Sequence, residues 1–428
     1  MDREGFVDAL EIIRQIGSVE ELEKAAQSCG RDAVPAFNTH IHLPPNFSAF
    51  ETVQEAVEQA AAEGLKVLGA GNYYDFTVYE SFAEGCRRRG IFPLFNTEII
   101  TLDEPLLRKG IRINDPGNPG KMYLCGKGIS RWSALSPRGR ELLAAIRRND
   151  AERMRQMIDK LSEHFRRCGL PIELDDRAVI QRVVRRHRCE PSTVTLQERH
   201  AAQAFQEVLF EKVPPAERIG RLTALFGTAP KSAPQDAVGI QNEIRSHLMK
   251  AGKPCFVPET FLSPAQAEEL IGHLGGIVCY PVLADGASPI CEFEASPEEL
   301  ANTLLQRGYW MAEFISLRNS PEVLVRYVRT LRQSGIAVTV GTEHNTLEKP
   351  PLEPACLKGV PLPEEVKTIF WEGTCVLAAH QFLSAHGKEG FARPEEMSDV
   401  TRRCAQIERF ARLGAAVLKR YFEKLSRG

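Results

Sequence analysis

Two histidines one residue apart, at the end of a short apolar run, are the side chains of this sequence best placed to do chemistry. They stand in Asn38-Thr39-His40-Ile41-His42. In an extended segment, side chains at i and i+2 point the same way, so both imidazoles can converge on one point. Neutral imidazole nitrogen is a common ligand for Zn, Mn and Fe. Alone, the pair reads more readily as a couple of half-buried histidines bonded to backbone. Other segments add to it. Phe95-Asn96-Thr97-Glu98 places a carboxylate just past another apolar run, where an apolar setting penalises it unless it is paired or metal-bound. Val340-Gly341-Thr342-Glu343-His344-Asn345 places a second acid and a third histidine after the last such run. Each glutamate would also suit a salt bridge or a helix N-terminus. Two histidines and carboxylates from separate strands can close a metal shell. His40, His42, Glu98 and Glu343 are therefore the candidate ligands, with His344 as a replacement.

These residues need elements to hold them. Short apolar runs at 34–38, 65–70, 91–95 and 122–125 alternate with helical patterns near 50–63 and 79–89. The rhythm resumes with strand candidates at 255–257, 276–280, 311–315 and 336–340, separated by helices near 264–274, 297–307 and 321–334. Strands alternating with helices imply parallel β-α units. About eight of them, with no glycine-rich dinucleotide fingerprint after the first, favour a closed α/β barrel over a doubly wound sheet. Residues 1–133 then carry N-terminal helices and the first part of the barrel, 251–346 the second part, and 347–428 C-terminal helices packing on it. Phe6, Ala9, Leu10, Ile13 and Ile16 mark one face of the N-terminal helices. Residues 134–250 are rich in Arg, Glu, Leu and Ala, and read as a helical insertion capping one end of the barrel.

Composition narrows the partners. Of 428 residues, 43% are hydrophobic and 26% charged, the balance of a globular protein with a large core. A formal charge of −2 supplies no broad basic surface, which argues against nucleic acid as a general partner. Eleven cysteines without a C-x-x-C pair favour reduced thiols in the cytoplasm. No apolar run approaches the roughly 20 residues of a membrane helix. A homo-oligomer is left open.

The order of these motifs resembles that of the PHP (polymerase and histidinol phosphatase) superfamily, whose members are distorted β/α barrels binding up to three metals. The family's opening H-x-H is matched by His40 and His42, and its glutamate after the third strand by Glu98. Its Asp-His pair after the second strand falls at Asn72-Tyr73. Its histidine near the fourth strand falls at Met122-Tyr123 and is absent. Its Ala-His-Pro after a Gly-Gly-Ile strand corresponds to Gly275 through Pro281, with Tyr280 in place of histidine. Its closing Asp-x-His corresponds to Glu343-His344-Asn345. The surviving matches belong to one metal position of that pattern, and the losses fall on the others. The resemblance thus implies one divalent ion (Zn, Mn or Fe) and a hydrolase acting on a small anionic substrate such as a phosphoester. It covers roughly residues 34–130 and 250–346 and leaves the insertion unexplained.

Around such an ion, Glu98 or Glu343 could serve as general base. Asn72, Tyr73 and Tyr280 could meet substrate at the barrel mouth, although aromatic packing under loops suits the tyrosines equally. Lys127, between glycines, and Arg318, after the strand at 311–315, are candidates for an anion, Lys127 also for catalysis; exposed charge balancing is the plainer role for each. Glu259 and Glu313 are acids near strands without an assigned part. The basic run at 182–188 fits a solvated helix face. Two other classes stay open: a single-metal sugar-acid isomerase or lyase, and a degenerate barrel that binds a ligand without catalysis.

Overall fold

In the computed structural model, which describes residues 8–28, 33–391 and 397–426, the apolar runs pair edge to edge in chain order. The sheet contains β1 (Ala36–Ile41), β2 (Leu65–Ala70), β3 (Phe92–Leu102), β4 (Lys121–Lys127), β5 (Ile277–Val282), β6 (Met311–Ile315) and β7 (Ala337–Gly341). Its two edges meet past the ends of β1 and β7. His42 N–H donates to the Glu343 carbonyl at 2.7 Å, and the N–H groups of Thr342 and Glu343 donate to the His40 carbonyl at 3.0 and 2.9 Å. The result is a nearly closed, TIM-like α/β barrel, as the alternation predicts. Every residue of β6 and β7 is buried, as strands covered on both faces must be.

Two expectations about the strands fail. The run at 255–257 is not an eighth strand. Cys255 and Val257 instead pack into a second hydrophobic cluster with Met157, Ile158, Phe205 and Leu209. β4 is antiparallel to both its neighbours, β3 and β5. The connection between β3 and β4 carries only a five-residue helix (Glu104–Arg108), with no long helix to cover a parallel crossover, and the chain folds back beside an unusually long β3.

Side-chain caps set where the outer helices begin. Thr52, Ser263 and Ser296 accept hydrogen bonds from the third N–H of helices Val53–Ala62, Pro264–His273 and Pro297–Gln306, the last two with proline in the first turn. Helix Glu364–Ala385 packs on the barrel, and its Gln381 side chain bonds Phe95 N–H and the Pro93 carbonyl, tying β3 in place. Phe6 of the N-terminal apolar face lies outside the described residues.

The insertion grows out of one long helix, Pro137–Arg167, about 46 Å at 1.5 Å per residue. Its Leu142, Leu143 and Ile146 belong to the barrel core, while Met154, Met157, Ile158, Leu161 and Phe165 belong to the second cluster. Helices Asp176–His187, Glu198–Lys212, Pro215–Phe226 and Ala237–Ile244 complete that cluster. The basic run pairs internally: Arg182 with Glu207 and Glu211, Arg186 with Glu207. Among the described residues, no helix is long and apolar enough to cross a membrane.

Candidate metal centre

β1 pairs smoothly with neither end of β2: between Asn38↔Leu68 and Ile41↔Ala70 it carries one extra residue. Such bulges re-aim a side chain next to a site. Here the bulge spans Thr39 and His40. The His40 and His42 rings face one cluster with centroids 5.2 Å apart. His40 is also pinched by bare backbone. A Cβ at Gly71 would lie 2.4 Å from the His40 Cδ2 and Nε2 atoms, and one at Gly341 would lie 2.3 Å from its Cβ.

Glu98 completes a group of three. Its Oε2 lies 3.1 Å from His42 Nε2 and 3.7 Å from His40 Nε2, and its Oε1 accepts the Tyr73 hydroxyl proton at 3.1 Å. Tyr73 also stacks on His42 at 5.1 Å. One ligand atom each from His40, His42 and Glu98 falls within 4.8 Å of the others, and all three residues are buried. His40 Nε2 and His42 Nδ1 have no hydrogen-bond partner although both are shut off from solvent. Leaving such atoms unpaired costs about 1–3 kcal/mol each. Two imidazoles and a carboxylate are a donor set that suits Zn, Mn or Fe, so these residues fit one divalent ion.

Behind His40 stands a residue whose importance the sequence only hints at. Glu313, from the middle of β6, is fully buried, and its Oε2 lies 2.6 Å from His40 Nδ1. Its Oε1 meets the Lys127 ammonium and accepts the Thr39 hydroxyl proton at 3.0 Å. Lys127 and His40 together hold Glu313 down at about 2 against the opposing effect of burial. An ionised Glu313 makes His40 Nδ1 the protonated nitrogen and leaves Nε2 its lone pair toward Glu98, the arrangement typical of a metal-ligating histidine. The signal was a lone acid inside the otherwise apolar strand Met-Ala-Glu-Phe-Ile. A second grouping, His40 with Cys125 and Glu313, is geometrically close. Burial holds the Cys125 thiol well above its usual range, and Lys127 occupies Glu313, so this grouping supports the first instead of rivalling it.

Four other candidates are turned elsewhere. Lys127 does not line the cavity beside the histidines. Because β4 runs antiparallel, its last residue pairs with Ile277 at the start of β5, and the ammonium is buried against Glu313 and the Thr39 carbonyl. His344 is turned from the cluster: its Nδ1 bonds the Thr342 hydroxyl at 2.7 Å, its Nε2 the Pro350 carbonyl at 2.9 Å, and its ring stacks on Phe50. Asn72 spends its amide on the Leu43 backbone, accepting at 2.8 Å and donating at 2.9 Å. Tyr280 donates to buried Glu294 at 2.7 Å and lines no part of the cavity. The acid that follows β2, Asp75, is bonded to Thr77.

Glu343 and Arg318 do reach the site, but as a pair. The Arg318 guanidinium meets the Glu343 carboxylate, which also accepts from Asn345 Nδ2 at 2.8 Å. Glu343 stands apart from the three-residue group. Burial works against its charge, but Arg318, then His40 and His42, win and hold it below its usual range. Glu343 and His344 have φ of 62° and 50°, a left-handed step that sends one side chain to the cavity and the next away from it.

Tyr73, Glu98, His40, Glu313, Arg318 and Glu343 share a cavity of about 510 Å³ with residues of the insertion, Arg199 and Arg245. That volume suits a small molecule. No signal in the sequence marks the two arginines, which look like any helix-forming cation.

No protein-family model matches this chain, and no curated protein matches it. Solved structures do. A Bifidobacterium adolescentis protein named as a candidate metal-dependent phosphoesterase is similar with a TM-score of 0.53 and 17% identity, over 79% of this chain and 96% of that one. An amidohydrolase from Chromobacterium violaceum, solved with sulfate and without metal, is similar with a TM-score of 0.52 and 17% identity, over 78% and 96%. At this identity the likeness establishes the barrel fold.

Proposed function

We propose that this protein is a metal-dependent hydrolase of the PHP type that uses one divalent ion, held by His40, His42 and Glu98, on a small anionic substrate, in the first place a phosphoester. The observation that carries this reading is the buried His40 Nε2, which has no hydrogen-bond partner and converges with His42 and Glu98 beside a cation-lined cavity. The names of the two structural neighbours, a metal-dependent phosphoesterase and an amidohydrolase that binds sulfate, support the same class.

A divalent ion at this position would polarise a phosphoryl or carbonyl oxygen and make water a better nucleophile near neutral pH. The chain's own groups do the rest. Glu313 fixes the tautomer of His40, and the Tyr73 hydroxyl orients Glu98. Arg318 keeps Glu343 ionised and presents its remaining N–H groups to the anion. A carboxylate held below its usual range is a weak base, so Glu343 is suited to orient the attacking water and receive its proton late in the step. Residues 134–250 act as the cap that closes the mouth.

Metal analysis of protein purified without chelator should give one ion of Zn, Mn or Fe per chain, lost in His40→Ala and His42→Ala. Phosphomonoesters and diesters, with amides and uronates beside them, should show phosphoester turnover restored by that ion. Protein that neither retains nor takes up a divalent ion would overturn the reading.

A further inference from the structure

We infer that the inserted helices supply the substrate's anion clamp: Arg199 and Arg245 together bind an anionic oxygen group, phosphate or carboxylate, on the molecule that reacts beside His40, His42 and Glu98. This rests on the hydrolase reading and adds to it the residues that choose the substrate.

Both arginines come from the insertion, Arg199 from the first turn of helix Glu198–Lys212 and Arg245 from the π-turn at Arg245–Met249. They line the cavity that holds the histidine cluster, and also two adjoining recesses of about 190 and 170 Å³. They therefore stand where the three spaces join.

Their neighbours are satisfied and they are not. Lys121 is bound to Glu259 at 2.9 Å, Arg153 to Glu198 at 2.7 Å, Lys250 to Glu198 at 2.7 Å, and Arg318 to Glu343. Arg199 has no carboxylate within 4.0 Å among the described residues; its guanidinium lies 5.8 Å over the Phe47 ring. Arg245 reaches only Glu198, at 3.7 Å, a carboxylate already engaged twice, and its Nε is buried with no partner at all. Burial, reinforced by the charge of Arg245, pulls Arg199 down to about 10. Two guanidinium groups kept close with only a shared, already engaged carboxylate nearby are unfavourable for the free protein. An anion with several oxygens removes that repulsion and fills the planar donor forks at once.

The test is binding of inorganic phosphate, and separately of succinate, to the full-length chain by isothermal titration, with the divalent ion present and again in chelator. One of the two anions should bind in both conditions, at least ten-fold more weakly in Arg199→Gln and in Arg245→Gln, while metal content stays at the wild-type value. Arg199→Lys, which keeps charge but loses the fork, should fall between. In turnover, KM should rise with little change in kcat. Tm of each variant without anion shows that the fold persists; if a glutamine variant does not fold, the lysine variant carries the comparison. Affinity within two-fold of wild type in all three variants, or no binding of either anion, would overturn the clamp. Loss of metal with arginine-dependent anion binding intact would instead refute the hydrolase reading alone.

Discussion

Replacing Lys127 with methionine removes the ammonium from a carboxylate that has no access to water. Glu313 would keep the Thr39 hydroxyl at 3.0 Å and His40 Nδ1 at 2.6 Å, but lose the ammonium that balances its charge. Breaking a buried ion pair on one side costs about 3–5 kcal/mol, because the remaining charge is stranded. At about 2.1 cal/mol/K per residue, a chain of this length unfolding as one unit has an entropy near 0.9 kcal/mol/K, so Tm should fall by about 3–6 °C. Lys127→Met combined with Glu313→Gln removes both charges and keeps an amide oxygen for His40 Nδ1. It should recover at least half of the lost stability, a coupling of about 2 kcal/mol. Calorimetry or denaturant titration of the two single variants and the double variant reads this directly. Glu313→Gln should also weaken binding of Zn or Mn by about 10–100-fold, the usual effect of losing the partner of a ligating histidine. A Tm of Lys127→Met within a degree of wild type would refute the argument. So would a double variant as damaged as the two single ones added together.

Gly71→Ala should displace the His40 ring, since the new methyl would sit 2.4 Å from it, and titration should show metal affinity lowered by about ten-fold or more with Tm changed much less. His344→Ala should do the reverse, lowering Tm by about 2 °C as two buried hydrogen bonds and a ring contact vanish, with metal content intact; lost metal there would restore His344 as a ligand. Glu294 is raised to about 7 by burial, so its folded form keeps a proton that the unfolded chain releases near 4.5. The contribution of Glu294 to stability should therefore be greatest below about 4.5 and fall by about 3 kcal/mol as pH rises to 7, and the difference between wild type and Glu294→Gln in denaturant titrations should follow that slope.

The barrel was legible because its strands are short apolar runs bounded by turns: 65–70 and 311–315 coincide with β2 and β6. The direction of β4 was not, because an antiparallel return depends on the connecting segment's geometry, which 18 polar and apolar residues do not spell out. His40, His42 and Glu98 were visible through spacing and position, and the structure brings the three together. Lys127, His344, Asn72 and Tyr280 occupied plausible places in the sequence, but the direction of each side chain is set by something nonlocal. A reversed strand turns Lys127 inward, a left-handed step turns His344 away, and backbone groups of another loop claim Asn72. Glu313 could have been singled out by its charge inside an apolar strand. Arg199 and Arg245 could not, since only the folding of the insertion brings them to the cavity.

The seam where the barrel shuts lies at the proposed metal ligands themselves: backbone bonds of His40 and His42 to Thr342 and Glu343 join segments about 300 positions apart. Half of a nascent chain can carry both imidazoles and still lack the far edge that steadies them. Under the proposed metal binding, uptake of an ion at full affinity would be a readout of completed circularisation, so a cell, or a biochemist, could tell finished molecules from fragments by whether they hold metal.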